Sequence, residues 1–233
     1  MLRYPKLACV LPLLTVLLLG QSPNAVGDLE AAAKQRIAAH DVPGALAAYR
    51  KLVEISPGSA AYQDELGFLL AASNQTPEAI LHFGRATALD PKMAQAWYHL
   101  GAALWLAKQG GPALDALEKA AALAPRNAEY LFHLGSAYYT LQHYSDASRV
   151  LAQASVPMAS NASVWKMLAN SYQQQSRYAE ARDAFRHAVD LDPSDVATRN
   201  GYGNALVRSG IPRQALGNFV GYLITILTMF GSR

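Results

Sequence analysis

Residues 97–125 read WYHLGAALWLAKQGGPALDALEKAAALAP, and the order of small and bulky residues in this stretch recurs along the chain. Alanine returns at intervals of 34 residues. The six alanines are Ala45, Ala79, Ala113, Ala147, Ala181 and Ala215. Four residues after each alanine stands a bulky apolar side chain, namely Tyr49, Phe83, Leu117, Leu151, Phe185 and Phe219. Twelve residues before each alanine stands a small residue, namely Ala33, Gly67, Gly101, Gly135, Ala169 and Gly203.

Paired helices explain this spacing. A period of 34 residues suits two short helices, neither of which can bury its apolar stripe without neighbours. The small residue lets the first helix approach the second, and the bulky residue fills the space beside it. Proline follows twelve residues after the alanine in four copies, at Pro57, Pro91, Pro125 and Pro193. Because proline has no N–H to donate, it ends the second helix and sets the turn to the next copy.

Two copies show the pattern most fully. One consists of Trp97, Leu100, Gly101, Leu104, Ala113, Leu117, Ala120 and Pro125. The other consists of Trp165, Leu168, Ala169, Tyr172, Ala181, Phe185, Ala188 and Pro193. Both resemble the tetratricopeptide consensus W-x2-L-G-x2-Y…A-x3-F…P. The resemblance extends in register over residues 26–219 and implies an all-α, right-handed solenoid of about six helix-turn-helix repeats.

The six repeats are predicted to start near residues 26, 60, 94, 128, 162 and 196. The first helix of each is expected to run about 13 residues and the second slightly longer. Thr76, followed by Pro77 and Glu78, is predicted as the N-cap of a second helix.

The composition sets limits on partners. Hydrophobic residues make up 52% of the 233, which is enough for a sizeable core. There are 20 basic and 17 acidic residues, and removing Arg3 and Lys6 of the leader leaves 18 against 17. This balance gives little electrostatic reason to bind nucleic acid, which requires a basic stripe.

Residues 1–25 read as a targeting segment. Arg3 and Lys6 precede an apolar run at residues 7–20, whose 14 residues suit a signal peptide better than a membrane span of about 20. Pro23 makes the cleavage site imperfect, so an uncleaved membrane anchor is the alternative. Cys9 is the only cysteine, and the mature chain would therefore have no disulfide and no thiolate metal site.

The C-terminal residues 220–233 depart from the repeat pattern. Residues 220–230 contain no charge and no helical alternation, whereas a solenoid end normally needs a solvating helix. One interpretation is the altered end of a longer array. The other is an apolar patch for a partner, a membrane surface or a second copy.

The resemblance also implies a binding groove, lined by the second, fifth, ninth, twelfth and thirteenth places of each repeat. In repeats two to four these places carry the aromatic residues Phe68, Tyr98, Trp105, Phe132 and Tyr139. In repeats five and six they carry Lys166, Asn170, Gln173, Gln174, Asn200, Asn204 and Arg208. Rings offer contact area, and amides pair with an extended backbone, so a peptide with apolar anchors suits both halves. We expect at least two of the five rings to be exposed.

Two patterns of polar residues can each be interpreted as a specific binding site or as ordinary polar residues. Lys166 and Asn170 resemble half of a clamp for a C-terminal carboxylate, but the next repeat offers Gly201 in place of asparagine. The alternative is that they are ordinary solvated residues. His99 and His133 occupy the same place in adjacent repeats and suggest a pH-sensitive or metal-binding pair, or merely tolerated groove residues.

No phosphate loop, nucleophile elbow or H-E-x-x-H motif is found, so we expect no enzyme, cofactor or metal site. The predicted function is a protein-binding scaffold. Its groove would hold an extended peptide or a helix of a partner. The resemblance and the leader together imply a place in an assembly or secretion complex of a cell envelope. The alternative is an accessory subunit that binds or exports envelope polysaccharide. The leader predicts a periplasmic or extracellular location, or membrane anchoring by the N-terminal segment.

Overall fold

The computed structural model describes residues 25–210, and they form eleven α-helices and no strand. Five helix pairs and one further helix follow in order. They are α1 Ala25–Ala38, α2 Val42–Ile55, α3 Ala60–Ala72, α4 Thr76–Leu89, α5 Ala94–Leu106, α6 Gly110–Leu123, α7 Ala128–Thr140, α8 Tyr144–Ser155, α9 Ala162–Gln174, α10 Tyr178–Leu191 and α11 Val196–Arg208. The predicted all-α repeat fold is confirmed. The predicted leader before Ala25, the predicted second helix of the sixth copy and the predicted apolar tail lie outside the described residues.

The helices keep the 34-residue register. First helices begin at Ala60, Ala94, Ala128, Ala162 and Val196 and each runs 13 residues. Second helices run 14 residues, except α8, which has only 12. The expectation of a longer second helix is therefore wrong for α8. Pro157 follows two residues after its end, and a proline disfavours helical backbone at the residue before it.

The recurring alanines form the centre of the core. Ala45, Ala79, Ala113, Ala147 and Ala181 are each 0% exposed. The small residues of the first helices face the bulky residues of the second helices, as predicted. A Cβ built on Gly67 would lie 2.8 Å from the Phe83 ring, and one on Gly101 would lie 2.8 Å from Leu117. The absent side chains are what allow the two helices of a repeat to touch.

Each turn within a repeat has one residue with left-handed backbone. These residues are His40, Asn74, Lys108, Gln142, Ser176 and Gly210, with φ between 57° and 79°. They are spaced by 34 residues, although five of the six are not glycine. A positive φ costs an L-residue about 1–2 kcal/mol, so the turn geometry is imposed by the packing of the two helices.

Caps and turns join consecutive repeats. The first helices α3, α7, α9 and α11 have the side-chain N-caps Ser59, Asn127, Asn161 and Asp195. The N-cap predicted at Thr76 is wrong, because α4 begins at Thr76 and Gln75 occupies the cap position. At the fourth place of a repeat, Trp97 and Trp165 donate their indole N–H to the carbonyls of Pro91 (3.0 Å) and Ala159 (2.9 Å) in the preceding turn.

Among residues 25–210, no helix combines the length and apolar character that crossing a bilayer requires.

Candidate functional site

The main candidate site is a depression of about 480 Å³ between the first helices α3, α5 and α7. We call it the aromatic pocket and define it by the side chains that line it, chiefly Phe68, Tyr98, His99, Leu106, Glu129 and Tyr130. A smaller depression of about 220 Å³ continues along α5 and α7, lined by Ala102, Trp105, Leu106 and His133 among others. Leu106 lines both, so the two form one continuous groove.

The predicted groove rings differ in exposure. Phe68 exposes 49% of its surface, whereas Tyr98, Trp105, Phe132 and Tyr139 are partly buried and pack against the core. The expectation that at least two of the five rings are exposed is therefore wrong. The four partly buried rings occupy the fifth and twelfth places of their repeats, where they contact neighbouring helices as well as the groove.

Tyr98 illustrates this double role. Its ring stacks on Tyr130 with centroids 4.6 Å apart, and its hydroxyl donates to the Glu129 carboxylate at 3.0 Å. Burial and, next, the bond to Glu129 raise the pKa of Tyr98 far above its usual range. The phenol therefore stays protonated at physiological pH and holds α5 against α7, with only part of the ring facing the groove.

A buried carboxylate stands behind the pocket. Asp64 on α3 is only 1% exposed. It accepts hydrogen bonds from His99 Nδ1 at 2.9 Å and from Gln95 Nε2 at 3.2 Å, both on α5. The His99 ring in turn lies 5.3 Å from the Phe83 ring centroid and 5.4 Å from that of Phe68. The imidazole is thus a wall of the pocket with its orientation fixed by Asp64.

The histidine pair predicted from the sequence takes no part in a metal site within the described residues. His99 bonds to Asp64, whereas the ring of His133 lies 5.4 Å from that of Tyr98. No group of three histidine, cysteine, aspartate or glutamate side chains able to hold a metal ion occurs in residues 25–210. The two imidazoles line successive parts of the groove.

Leu106 of the pocket and Asp64 behind it were not predicted as site residues from the sequence. Leu106 is 71% exposed at the thirteenth place of its repeat, and Asp64 occupies the fifth place of the preceding repeat. Both places belong to the groove set that the resemblance implies. The repeat pattern therefore marks both places, but a leucine and a carboxylate there do not stand out as binding residues in the sequence.

In the C-terminal half, two basic side chains that were predicted to line the groove already have partners within the chain. Lys166 donates to Asp195 Oδ2 at 2.6 Å, and this bond, followed by one from Thr198, lowers the pKa of the Asp195 carboxyl well below its usual range. The Arg208 guanidinium donates to the Tyr178 hydroxyl at 2.6 Å and lies 4.7 Å from the centre of its ring. Neither cation is placed as a ready anion receptor.

The half-clamp interpretation also meets a steric obstacle. A Cβ at Gly201 would lie 2.5 Å from the Phe185 ring, so an asparagine at this place would have to displace that ring. Asn170 is half-buried on the groove side of α9. Gln173 is also half-buried, and its Oε1 is buried with no hydrogen-bond partner among the described residues. Gln174, Asn200 and Asn204 are exposed.

The fifth-place residues share a role that the sequence did not reveal, because they join consecutive first helices. Four of them, namely Glu30, Asp64, Tyr98 and Lys166, form a hydrogen bond or ion pair with the following first helix or its N-cap. The links are Tyr62 to Glu30 (2.7 Å), Gln95 to Asp64 (3.2 Å), Tyr98 to Glu129 (3.0 Å) and Lys166 to Asp195 (2.6 Å). Polar contacts of this kind therefore join α1 to α3, α3 to α5, α5 to α7 and α9 to the start of α11.

Comparison with known proteins agrees with this architecture. A family model described as a tetratricopeptide repeat matches residues 162–195, and one described as a TPR repeat matches residues 67–107. Residues 67–107 and 162–195 are therefore tetratricopeptide repeats. No curated protein matches it.

Solved structures share the fold at low identity. A crystal structure of MamA protein is 20% identical with a TM-score of 0.67, covering 76% of this chain and 96% of that one. A MamA fragment from Desulfovibrio magneticus RS-1 is 20% identical, with a TM-score of 0.65 and coverage of 73% and 97%. YrrB, described as a TPR protein with an unusual peptide-binding site, is 20% identical with a TM-score of 0.68, covering 72% and 87%. At these identities the likeness concerns the fold.

Proposed function

We propose that this chain is a protein-binding scaffold whose groove, along α3, α5 and α7, holds an extended segment of a partner protein. The observation that carries the proposal is the exposure of Phe68 (49%) and Leu106 (71%) in one continuous concave depression. Large apolar side chains that stay exposed and adjacent mark interaction sites, since a fold gains by burying them.

The shape of the depression favours an extended segment. It runs along successive first helices and is not a closed cavity. It therefore suits a long ligand better than one that must be enclosed. The described peptide-binding site of YrrB, which shares the fold, supports the same kind of ligand. In the C-terminal half, exposed Asn204 and half-buried Asn170 supply amides that suit a peptide backbone.

We further propose that the chain acts outside the cytoplasm, in an envelope assembly or secretion complex. The support is the basic and apolar character of residues 1–25. N-terminal sequencing of the chain purified from its native cell tests this. A new N-terminus near residue 25 is expected, whereas a cytoplasmic chain that retains Met1 would contradict it.

A glycan ligand has less support. Sugars stack on free aromatic faces, but Tyr98 and Tyr130 cover one another at 4.6 Å, and Phe68 alone among the predicted rings is exposed in the described groove. A glycan array with the chain provides the direct comparison.

The decisive experiment compares two positions of similar chemistry. Leu106 lies in the groove, and Leu81, which is 63% exposed, lies on the second helix α4. A photo-cross-linking benzoylphenylalanine replaces each residue in turn, and the captured proteins are identified. We expect one partner captured from position 106 and not from position 81, with capture reduced by Phe68→Ala. Equal capture at both positions, or none at position 106, would overturn the proposal.

A further inference from the structure

The charges of the groove are divided along its length. The helices α3, α5 and α7 carry three carboxylates, namely Asp64, Glu65 and Glu129, and no lysine or arginine. The next first helices, α9 and α11, carry Lys166, Arg199 and Arg208 and no carboxylate. Among the described first helices, the three that form the aromatic pocket are therefore the acidic ones.

Inside the pocket, negative charge and aromatic faces lie together. Glu129 is exposed at the rim, accepts one hydrogen bond from Tyr98 and forms no ion pair within the described residues. Asp64 lies at the back, bonded to His99 and Gln95. Burial and, secondarily, the charge of Asp64 raise the pKa of the neighbouring Glu65 carboxyl.

A cation suits such surroundings for two reasons. The faces of phenyl and phenol rings attract an ammonium or guanidinium group within about 6 Å. A carboxylate adds a charge-assisted hydrogen bond, to which guanidinium is particularly well matched. The volume of about 480 Å³ admits a long side chain with its aliphatic stem against Leu106 and Phe68.

We infer that the aromatic pocket receives a cationic side chain, arginine or lysine, from the partner segment, with the charged group between Glu129 and the rings of Phe68 and Tyr98. This assignment rests on the proposed function, because it names the chemistry of the segment that the groove holds. It follows from charge complementarity: an apolar side chain would fill the same volume but would leave the exposed Glu129 carboxylate without a counter-charge.

The test uses small probes of equal shape and different charge. The 233-residue chain, labelled in alanine and leucine methyl groups, is titrated with N-acetyl-arginine methylamide, and the methyl signals of Ala102 and Leu106 are followed by NMR. The citrulline derivative has nearly the same shape without the charge, and the norleucine derivative represents an apolar occupant. We expect the arginine probe to bind at least about fivefold more tightly than either neutral probe.

Matched variants locate the contact. Glu129→Gln keeps the shape of the side chain and is expected to weaken arginine binding about fivefold, whereas Glu54→Gln on α2, exposed and outside the pocket, leaves it unchanged. Unchanged melting temperatures show that both variants are folded. Equal binding of arginine and citrulline, stronger binding of norleucine, or an arginine response unaffected by Glu129→Gln would each overturn the inference.

The two proposals fail separately. If benzoylphenylalanine at position 106 captures a partner while arginine and citrulline bind alike, the scaffold function stands and only the cationic ligand is rejected. If position 106 captures nothing, the scaffold function is rejected whatever the small probes do.

Discussion

The Cβ that Gly135 lacks would lie 2.5 Å from Cγ of Leu151, closer than two carbon atoms approach without displacement. The first helix α7 and the second helix α8 touch at this point. The same relationship joins Gly67 to Phe83 and Gly101 to Leu117 in the preceding repeats. The close approach of the two helices therefore depends on a missing methyl group.

Gly135→Ala is expected to lower the free energy of unfolding by about 1–3 kcal/mol, because Leu151 must leave its position or the helices must separate. Gly84→Ala on α4 is the matched control. Its Cβ would meet nothing within 4 Å, so it should raise stability by about 0.5–1 kcal/mol through helix propensity. Urea unfolding followed by circular dichroism measures both. Equal effects of the two changes would contradict the packing argument.

Lys108→Gly is expected to stabilise the protein by about 1 kcal/mol, because Lys108 has φ of 61° and glycine adopts this backbone without strain. Lys119→Gly, in the interior of α6 and exposed, is the control and should destabilise by about 1 kcal/mol. Thermal unfolding of the two variants shows whether stability rises on the change at position 108 and falls on the change at position 119. A loss of stability at position 108 would show that the left-handed turn carries no strain.

Trp165→Phe is expected to destabilise by about 1 kcal/mol, because it removes the indole donor to the carbonyl of Ala159 and leaves that acceptor without its partner. Trp105→Phe provides the comparison. The indole N–H of Trp105 has no hydrogen-bond partner among the described residues, and its ring lines the groove. Similar losses at the two tryptophans would assign the effect to ring size instead of the hydrogen bond.

His82 makes stability depend on pH. It is buried, and its Nδ1 donates to Gln63 Oε1 at 2.7 Å. Burial and, next, Arg85 lower the pKa of His82 below the usual value of about 6.5. The unfolded chain therefore binds a proton at a higher pH than the folded chain does. Stability is retained above about pH 6.5 and falls as the pH drops below it, until the folded pKa is reached.

Urea unfolding at pH 7.5 and pH 5.5 measures this loss. His82→Gln should reduce the difference between the two pH values, because glutamine does not titrate. His40→Gln is a suitable control, since His40 is exposed and glutamine already occupies the equivalent turn position at Gln142. An unchanged pH difference in His82→Gln would assign the effect to other groups.

The helical repeat was predictable because the core is set by side-chain size at fixed spacing. Ala113 and Leu117 are buried like their counterparts in the other described helix pairs. The 34-residue period can therefore be recognised from residue identity alone. The left-handed turn could not be predicted, since His40, Lys108 and Ser176 share only their polarity and none of them is glycine. Their backbone follows from the geometry of the helix pair and not from their own preference.

The site was only partly predictable for a similar reason. The positions that line the groove are determined by the repeat, and the exposed Phe68 lies at one of them. The partners of Tyr98 and Lys166, however, are Glu129 on the next first helix and Asp195 at the N-cap of the next first helix. Contacts between repeats depend on pairs of residues about 30 positions apart, which a single sequence does not mark as pairs.

The pairwise links between first helices have a consequence for how the protein opens. Each link, such as Gln95 to Asp64, holds only two neighbouring repeats, so local unfolding at one end need not spread to the other. The aromatic pocket takes its walls from three first helices at once. A ligand seated there would couple repeats two to four into one cooperative unit, and hydrogen exchange across all three would slow together on binding.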